Sequence, residues 1–345
     1  MNTHHSLIHI NLSALAHNFN IIQQIAPQSK ILAMIKANAY GHGLTKIAKN
    51  LPDADGFGVA CLDEAAALRK AGITQKIVLM RGVFNHAELN LAHQLKLDLV
   101  IHHKDQINLL SRQTTYWLKI NTGMNRLGFL PDEIPEIYEK FKYNHLILMT
   151  HFSSAEETSD LITSQQIQSF QEITHNMPHE KSMANSAGIL NYKESHRDWI
   201  RPGLMLYGIS PAGYHPHLQP VMTWRSQLIA IRYQKKGDPI GYNQIYLCEE
   251  NMPIGIVGVG YGDGYPRHAK NGTPVLINNI EVSLIGRVSM DMLAVDLRKI
   301  PSAKAGNPVT LWGEGLSIEK VAGYTASNAY ELLCNANARV RSLSN

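Results

Sequence analysis

An alternation sustained through the first part of the chain constrains its fold more than any other feature. Short, continuously apolar runs recur as "ILAMI" (31–35), "GFGVAC" (56–61), "IVLMR" (77–81), "DLVIH" (98–102), "YWLKIN" (116–121), "LILMTH" (146–151), "KSMAN" (181–185) and "GLMLYG" (203–208). Between them lie helical segments such as "LDEAAALRKAG", "NHAELNLAHQLKL" and "SDLITSQQIQSFQEITHNM", and "LSALAHNFNIIQQIA" precedes the first run. A strand wetted on one face alternates apolar and polar residues. A strand that is apolar throughout is buried on both faces, as in a parallel sheet covered by helices. Leu62, Ala65, Ala66 and Leu68 mark a stripe near the 3.6-residue period in one intervening helix. Eight such strands are the number that closes a (β/α)8 barrel, with an open sheet as the alternative because "KSMAN" is a weak strand signal.

The texture changes past residue 215. "VMTWRSQLIAIRYQ", "MPIGIVGVG", "TPVLINNIEVSLIGRV", "MLAVDL" and "NPVTLWG" are strand-like and punctuated by Gly, Pro and Asn-Asn turns, with one helical run, "SIEKVAGYTASNAYELLCNAN", near the end. The expected fold class is therefore α/β: a (β/α)8 TIM barrel over 1–215, then a C-terminal, mostly antiparallel β domain over 216–345. The segment "SPAGYHPHLQP" (210–220) is the expected linker.

Composition narrows the function. The 345 residues carry a net charge of +4, scattered rather than blocked, which suits a small anionic ligand and offers no basic–aromatic interleave for nucleic acid. Three widely spaced cysteines form neither a disulfide framework nor a metal-ligand pattern, and no His/Asp/Glu cluster has ligand spacing. No run approaches the length of a membrane span, and "MNTHHSLIHINLSALAHN" has no signal-peptide layout, so a cytoplasmic location is expected.

In a parallel barrel the functional side chains stand at the C-terminal ends of the strands and in the loops that follow. Used as a filter, that rule selects Lys36 at the end of the first strand, Arg126 after the fifth and His151 at the end of the sixth. It also selects Ser186 after the seventh and Arg201 just before the eighth. "ANSAG" offers Asn185 and Ser186 beside small residues, "RPGL" offers the backbone N–H groups of Gly203 and Leu204, and Tyr40 adds a phenol. Together these suit a phosphate. A phosphate site beside a strand-end lysine suggests pyridoxal 5'-phosphate held covalently on Lys36. Taken singly, each residue has a plainer reading: a solvated lysine, a core histidine, structural arginines. Their convergence on one rim is what carries weight.

Seven stretches, "KANAYGHG", "TGMNRLGF", "THFSSAEE", "ANSAG", "RPGLMLYG", "VGYGDGYPR" and "GRVSMDM", occur in the order found in bacterial alanine racemase, and the chain closely resembles that family over essentially its whole length. The resemblance implies a racemase interconverting L- and D-alanine with pyridoxal phosphate and supplying D-alanine for peptidoglycan. It implies Lys36 and Tyr242 as the two catalytic bases, with Tyr242 lent by the second subunit of a homodimer whose sites are shared. Arg201 would face the pyridine nitrogen, with His151 stacked near the cofactor and in contact with Arg201. Arg126 would bond the cofactor's phenolic oxygen and help hold the substrate carboxylate. Tyr261 and the backbone of Met290 would complete the pocket, and Tyr40, Ser186, Gly203 and Leu204 would take the phosphate. Lys119 matches a lysine that is carbamylated in some relatives. The chain departs from the pattern at "ARVRSLSN", where Ser344 stands roughly in place of a phosphate-binding tyrosine. A cationic Arg201–His151 neighbourhood is expected to favour the phenolate of Tyr242. Beside this reading stand a broader-specificity racemase or related decarboxylase, and a non-enzymatic cofactor-binding protein, which would not need Tyr242, Tyr261 or Met290.

Overall fold

The first strand of the computed structural model, β1 (Leu7–Ile10), is one the sequence reading did not mark as a strand. Its four residues pair antiparallel with a strand beginning at Met222 and parallel with one at Arg341–Ser344, far along the chain. The structure describes residues 6–111, 114–141, 145–159, 161–211, 215, 217–336 and 341–344. They fall into two compact units: Ala16–Ala39 with Gly43–Leu218, and Met1–Leu15 with Tyr40–His42 and Gln219–Asn345.

The first unit is a closed barrel of eight parallel strands. They are β2 (Lys30–Met34), β3 (Gly56–Val59), β4 (Lys76–Leu79), β5 (Asp98–Ile101), β6 (Thr115–Lys119), β7 (His145–Met149), β8 (Glu180–Ser182) and β9 (Trp199–Ile200). β9 returns to β2 through Lys30↔Trp199 and Ile31↔Ile200. Most strand residues are buried on both faces, as the unbroken apolar runs require. Trp117 and Trp199 meet edge to face inside, with ring centroids 5.4 Å apart.

The eighth strand is not where the sequence reading placed it. "GLMLYG" forms a 3₁₀ turn, Leu204–Tyr207, and β9 is the pair Trp199–Ile200 that precedes it. Pro202 has no N–H to give a ladder and Gly203 leaves the strand region, so the apolar run after them is buried without being extended. Arg201 consequently follows the eighth strand rather than preceding it.

The second unit is built on β10 (Met222–Gln234), followed by the short pair β11 (Pro239–Ile240) and β12 (Tyr246–Leu247), then β13 (Met252–Val257), β14 (Pro274–Ile277), β15 (Ile280–Ile285), β16 (Leu293–Asp296), β17 (Pro308–Trp312) and β18 (Arg341–Ser344). The sheet order β13-β16-β15-β14-β17-β10 is completed by pairing of β13 with β10, so six strands return on themselves, and β1 and β18 extend the sheet beyond β10. Asn278 and Asn279, both at positive φ, make the two-residue hairpin that the Asn-Asn signal announced. The expected single helical run near the end is two helices, Ile318–Ala322 and Ala329–Asn335. Gly323 closes the first, and the Asn328 side chain starts the second by accepting the Glu331 N–H. Of the expected linker, residues 212–214 and 216 lie outside the described residues, as do Arg339, Val340 and the side chain of Ser344.

Candidate active site

Lys36 comes two residues after the end of β2, and the backbone after it does something unusual. Ala37, Asn38, Ala39 and Tyr40 all hold φ between 51° and 56°, making one turn of left-handed helix from L-residues. Each such residue costs roughly 1–2 kcal/mol in steric terms, so the turn persists because its surroundings fix it. The Ala39 N–H donates to the Ile35 carbonyl at 2.7 Å, the Gly43 N–H to the Asn38 carbonyl at 2.9 Å, and the Leu44 N–H to Asn38 Oδ1 at 2.9 Å. Glu64 accepts the N–H groups of Asn38 at 3.4 Å and of Ala60 at 2.7 Å. Gly41 and Gly43, at φ 81° and 102°, then lead the chain into helix Leu44–Lys49. Tyr40 is buried and packs on Tyr330, ring centroids 5.8 Å apart, within the second unit, and burial raises its phenol well above the usual range.

Around the barrel mouth the strand ends supply cations. Lys119 is the last residue of β6, 7% exposed. Burial first, then the charges of Arg126, Arg201 and Lys36, lower its ammonium to about 7. Arg126 itself is exposed, on the loop after β6 that Asn121 folds by accepting the N–H groups of Gly123 and Asn125 at 3.1 and 3.0 Å. Arg201, just past β9, is 3% exposed and burial lowers it to about 10, which leaves it protonated at neutral pH. It donates to the carbonyls of Thr150 at 2.6 Å and Met183 at 3.1 Å, to Ser182 Oγ at 2.5 Å, and to His151 Nδ1 at 3.4 Å.

His151 follows β7 and differs from expectation. Burial, then Arg201, Lys119, Arg126 and Lys36, push its imidazole well below the ordinary value, so it is neutral. Accepting a hydrogen bond at Nδ1 from an arginine agrees with that state. The expected cationic pair is thus a charged arginine beside a neutral imidazole. A protonated His151 would add positive charge to a site already crowded with basic groups, so the neutral form is favoured.

Asn185 caps helix Ser186–Asn191 by accepting the Gly188 N–H at 2.9 Å. Ser186 Oγ accepts the Gly203 N–H at 2.8 Å and the Met205 N–H at 3.4 Å, so it ties the loop after β8 to the turn that carries Gly203 and Leu204. Lys36, Lys119, Arg126, His151, Asn185, Ser186, Arg201, Gly203 and Leu204 all belong to the barrel unit and stand at C-terminal strand ends or in the loops after them. Tyr40 is grouped with the second unit instead.

That second unit gathers the other three candidates. Tyr242 opens a short 3₁₀ turn and is 64% exposed. A Cβ on Gly241 would lie 3.4 Å from the Arg287 backbone, three residues from Met290. The Tyr261 N–H donates to the Ser289 carbonyl at 3.0 Å and the Gly262 N–H to the Met290 carbonyl at 2.8 Å. At Gly260 a Cβ would sit 2.3 Å from the carbonyl oxygens of both Ser289 and Met290, so only glycine allows these loops to close on each other. Tyr261 and Met290 are also exposed, which leaves three apolar-bodied side chains uncovered on one region of the unit.

One participant escaped sequence analysis. Gln166, buried on helix Ile162–Ile173, bonds the loops of Arg126 and His151. Its signal was a polar residue inside the stripe Thr163, Gln166, Ile167, Phe170.

As an assembly, the barrel mouth holds Lys36, Lys119, Arg126 and Arg201, with only cations among the charges that move Lys119 and His151. Such a cluster fits an anionic ligand such as a phosphorylated aldehyde with a carboxylate-bearing substrate, and a strand-end amine fits a covalent attachment. Among the described residues no group of three or more His, Cys, Asp or Glu is placed to hold a metal ion, and no helix is long and apolar enough to cross a membrane.

Comparison with known proteins agrees. The sequence matches the N-terminal domain of alanine racemase over residues 10–211 and its C-terminal domain over 221–344. An alanine racemase of Coxiella burnetii (strain CbuG_Q212) is 47% identical over 96% of both chains, and the biosynthetic alanine racemase of Salmonella typhimurium is 43% identical over 96% of both. The crystal structure of the biosynthetic alanine racemase from Pseudomonas aeruginosa superposes with a TM-score of 0.96 at 40% identity, covering 99% of this chain and 100% of that one. One from Bartonella henselae, described with covalently bound pyridoxal phosphate, superposes with a TM-score of 0.90 at 26% identity over 99% of both. With both domains matched in order and relatives this similar along nearly its full length, the chain belongs to the alanine racemase family of isomerases.

Proposed function

We propose that the chain interconverts L- and D-alanine by a two-base mechanism in the cytoplasm, supplying D-alanine for peptidoglycan, with pyridoxal 5'-phosphate as cofactor and a homodimer as the working unit. In this reading the barrel (1–215) holds the cofactor, and the β domain (216–345) lends a phenol to its partner. The observation that carries it is the set of basic side chains, Lys36, Lys119, Arg126 and Arg201, around the buried His151 imidazole at one barrel mouth.

When bound, the cofactor supplies an electron sink for the pair left on the α-carbon. Inverting that carbon requires a proton to leave one face and another to arrive on the opposite face, so two groups must flank it. Lys36 holds the cofactor through its amine and serves one face; Tyr242 of the partner subunit serves the other. Both are weak bases at their ordinary values near 10.4 and 10, so each needs neighbours that lower them. Arg201 would stand at the cofactor's pyridine nitrogen and would keep its own proton, because even lowered to about 10 it is charged at neutral pH. An arginine that holds its proton would leave that nitrogen unprotonated and so would temper the electron sink. His151 stays neutral and holds Arg201 in place through Nδ1. Asn185, Ser186, Tyr40 and the Gly203–Leu204 backbone serve the phosphate, while Arg126, Tyr261 and the Met290 backbone N–H serve the substrate carboxylate.

Lys119 is carbamylated in the working enzyme. A lysine lowered to about 7 offers a neutral amine at physiological pH; its nitrogen bonds the carbon of CO₂ and gives a proton to solvent, leaving an anion beside Arg126. That anion replaces repulsion with attraction and steadies the arginine.

Circular dichroism on the holoenzyme tests the reading, with L-alanine, L-serine and L-lysine as substrates. Loss of the L-alanine signal is expected to be fastest, and borohydride followed by peptide mapping is expected to place the cofactor on Lys36. Labelling of another lysine would overturn the site.

A further inference from the structure

Gln166 is 2% exposed, a polar side chain at a position where Thr163, Ile167 and Phe170 complete the buried stripe of helix Ile162–Ile173. Burying an amide is costly unless both of its ends find partners, and a residue needed only for packing would be apolar. Both ends of this amide are in use. Nε2 donates to Thr122 Oγ1 at 3.3 Å and to the His151 carbonyl at 3.2 Å; Oε1 accepts the Ser153 N–H at 3.0 Å and the Ser153 hydroxyl at 3.2 Å. Thr122 Oγ1 lies 2.7 Å from Thr150 Oγ1, and the Thr150 carbonyl receives Arg201.

The geography matters more than the count. Thr122 and Arg126 sit on one loop, which is pinned at its base by the bonds from Phe129 N–H to Lys119 O and from Asn121 N–H to Phe129 O, both 2.9 Å. Inside, Asn121 folds it into a tight turn, so it is braced as a unit. Gln166 joins that unit to the segment His151–Ser153, whose backbone neighbour Thr150 holds Arg201. A buried, fully satisfied polar network of this kind specifies geometry more than it adds stability.

We propose that Gln166 is a positioning residue that sets the Arg126 loop against the His151 segment and thereby sets the affinity for alanine; this rests on the assignment of Arg126 to the substrate carboxylate. Gln166→Met keeps the length and removes all four hydrogen bonds. In the holoenzyme it raises KM for L-alanine about three- to tenfold, and amide hydrogen exchange across 121–128 quickens, while cofactor content measured by absorbance holds. Thr122→Val removes the same contact from the other side and gives the same two changes, and the double variant falls short of the sum. Gln168→Ala, on the exposed face of the same helix, leaves both readouts at the parent values. Unchanged KM and loop exchange in Thr122→Val and Gln166→Met, with only the melting temperature lowered, would overturn the inference, and Thr122→Val decides alone if the methionine variant does not fold. Should exchange quicken without a change in KM, Arg126→Ala separates the two failures. A raised KM there sinks the role of Gln166 only, and an unchanged KM sinks the Arg126 assignment beneath it.

Discussion

Lys119 takes an amine into a barrel wall where Arg126, Arg201 and Lys36 surround it, and His151 meets the same charges from the next strand. For Lys119 the unfolded chain holds its proton up to about 10.5 and the folded chain releases it near 7, so stability rises with pH across that window and is penalised most below it. His151 acts in the same direction lower down: its folded value lies below 6.5, so stability falls as pH drops through 6.5. In bicarbonate-free buffer, Lys119→Met is therefore expected to melt higher than the parent at pH 6, with the gap closing as pH climbs from 7 towards 10.5. Added bicarbonate narrows the gap at pH 8, where the amine is free to take up CO₂. Thermal melts across that pH range check both statements, and a gap that ignores pH would dissociate the effect from the ammonium. These electrostatics were only half legible in the sequence. Strand-end position pointed to His151 and the loop beside the eighth strand to Arg201, but the imidazole's neutrality depends on how many cations the fold brings near it, which spacing along a chain does not report.

At the scale of elements, the first six barrel strands were readable because each is an apolar run followed by a break, the seventh, Glu180–Ser182, gave only a weak signal, and the eighth was misplaced because two apolar stretches flank "RPG". Trp199–Ile200 is too short to signal itself, and Leu204–Tyr207 is apolar for burial as a turn. β1 was overlooked since the chain around it reads as an approach to a helix; its partners lie at the far end of the sequence. The left-handed turn after Lys36 was invisible for a different reason. Alanine prefers ordinary helix, and nothing in "KANAY" except Asn38 favours positive φ. The hydrogen bonds around the turn hold its strain in place, and that strain is measurable. Ala37, exposed at φ 52°, is expected to gain about 0.5–1 kcal/mol on replacement by glycine, whereas Ala37→Val should lose more than that, as read from urea unfolding. A glycine variant that is stabilised but slower would show that the strained turn places Lys36.

Taken whole, the molecule reads as two units of different construction. The first wraps cations around its mouth, and the second holds Tyr242, Tyr261 and Met290 out in solvent. Large apolar side chains clustered in the open mark a surface that meets another molecule, which supports the shared site proposed above. Tyr242→Phe should cut turnover by about 10²-fold or more while cofactor content stays level, and equal loss of both would make that tyrosine structural. Serial dilution followed by activity and light scattering gives the companion measurement: activity should vanish with the dimer, and an active monomer would defeat the shared site.

β1 adds a temporal constraint. It is made before any barrel strand, yet both neighbours that hydrogen-bond it, β10 and β18, are synthesised long after. On the ribosome the barrel can close while the leading strand waits with an unmet edge, and the sheet is whole only once β18 has emerged. Removing residues 6–10 should therefore spare the barrel's cooperative melting and cripple the β unit, a defect at one end of the gene felt at the other end of the polypeptide.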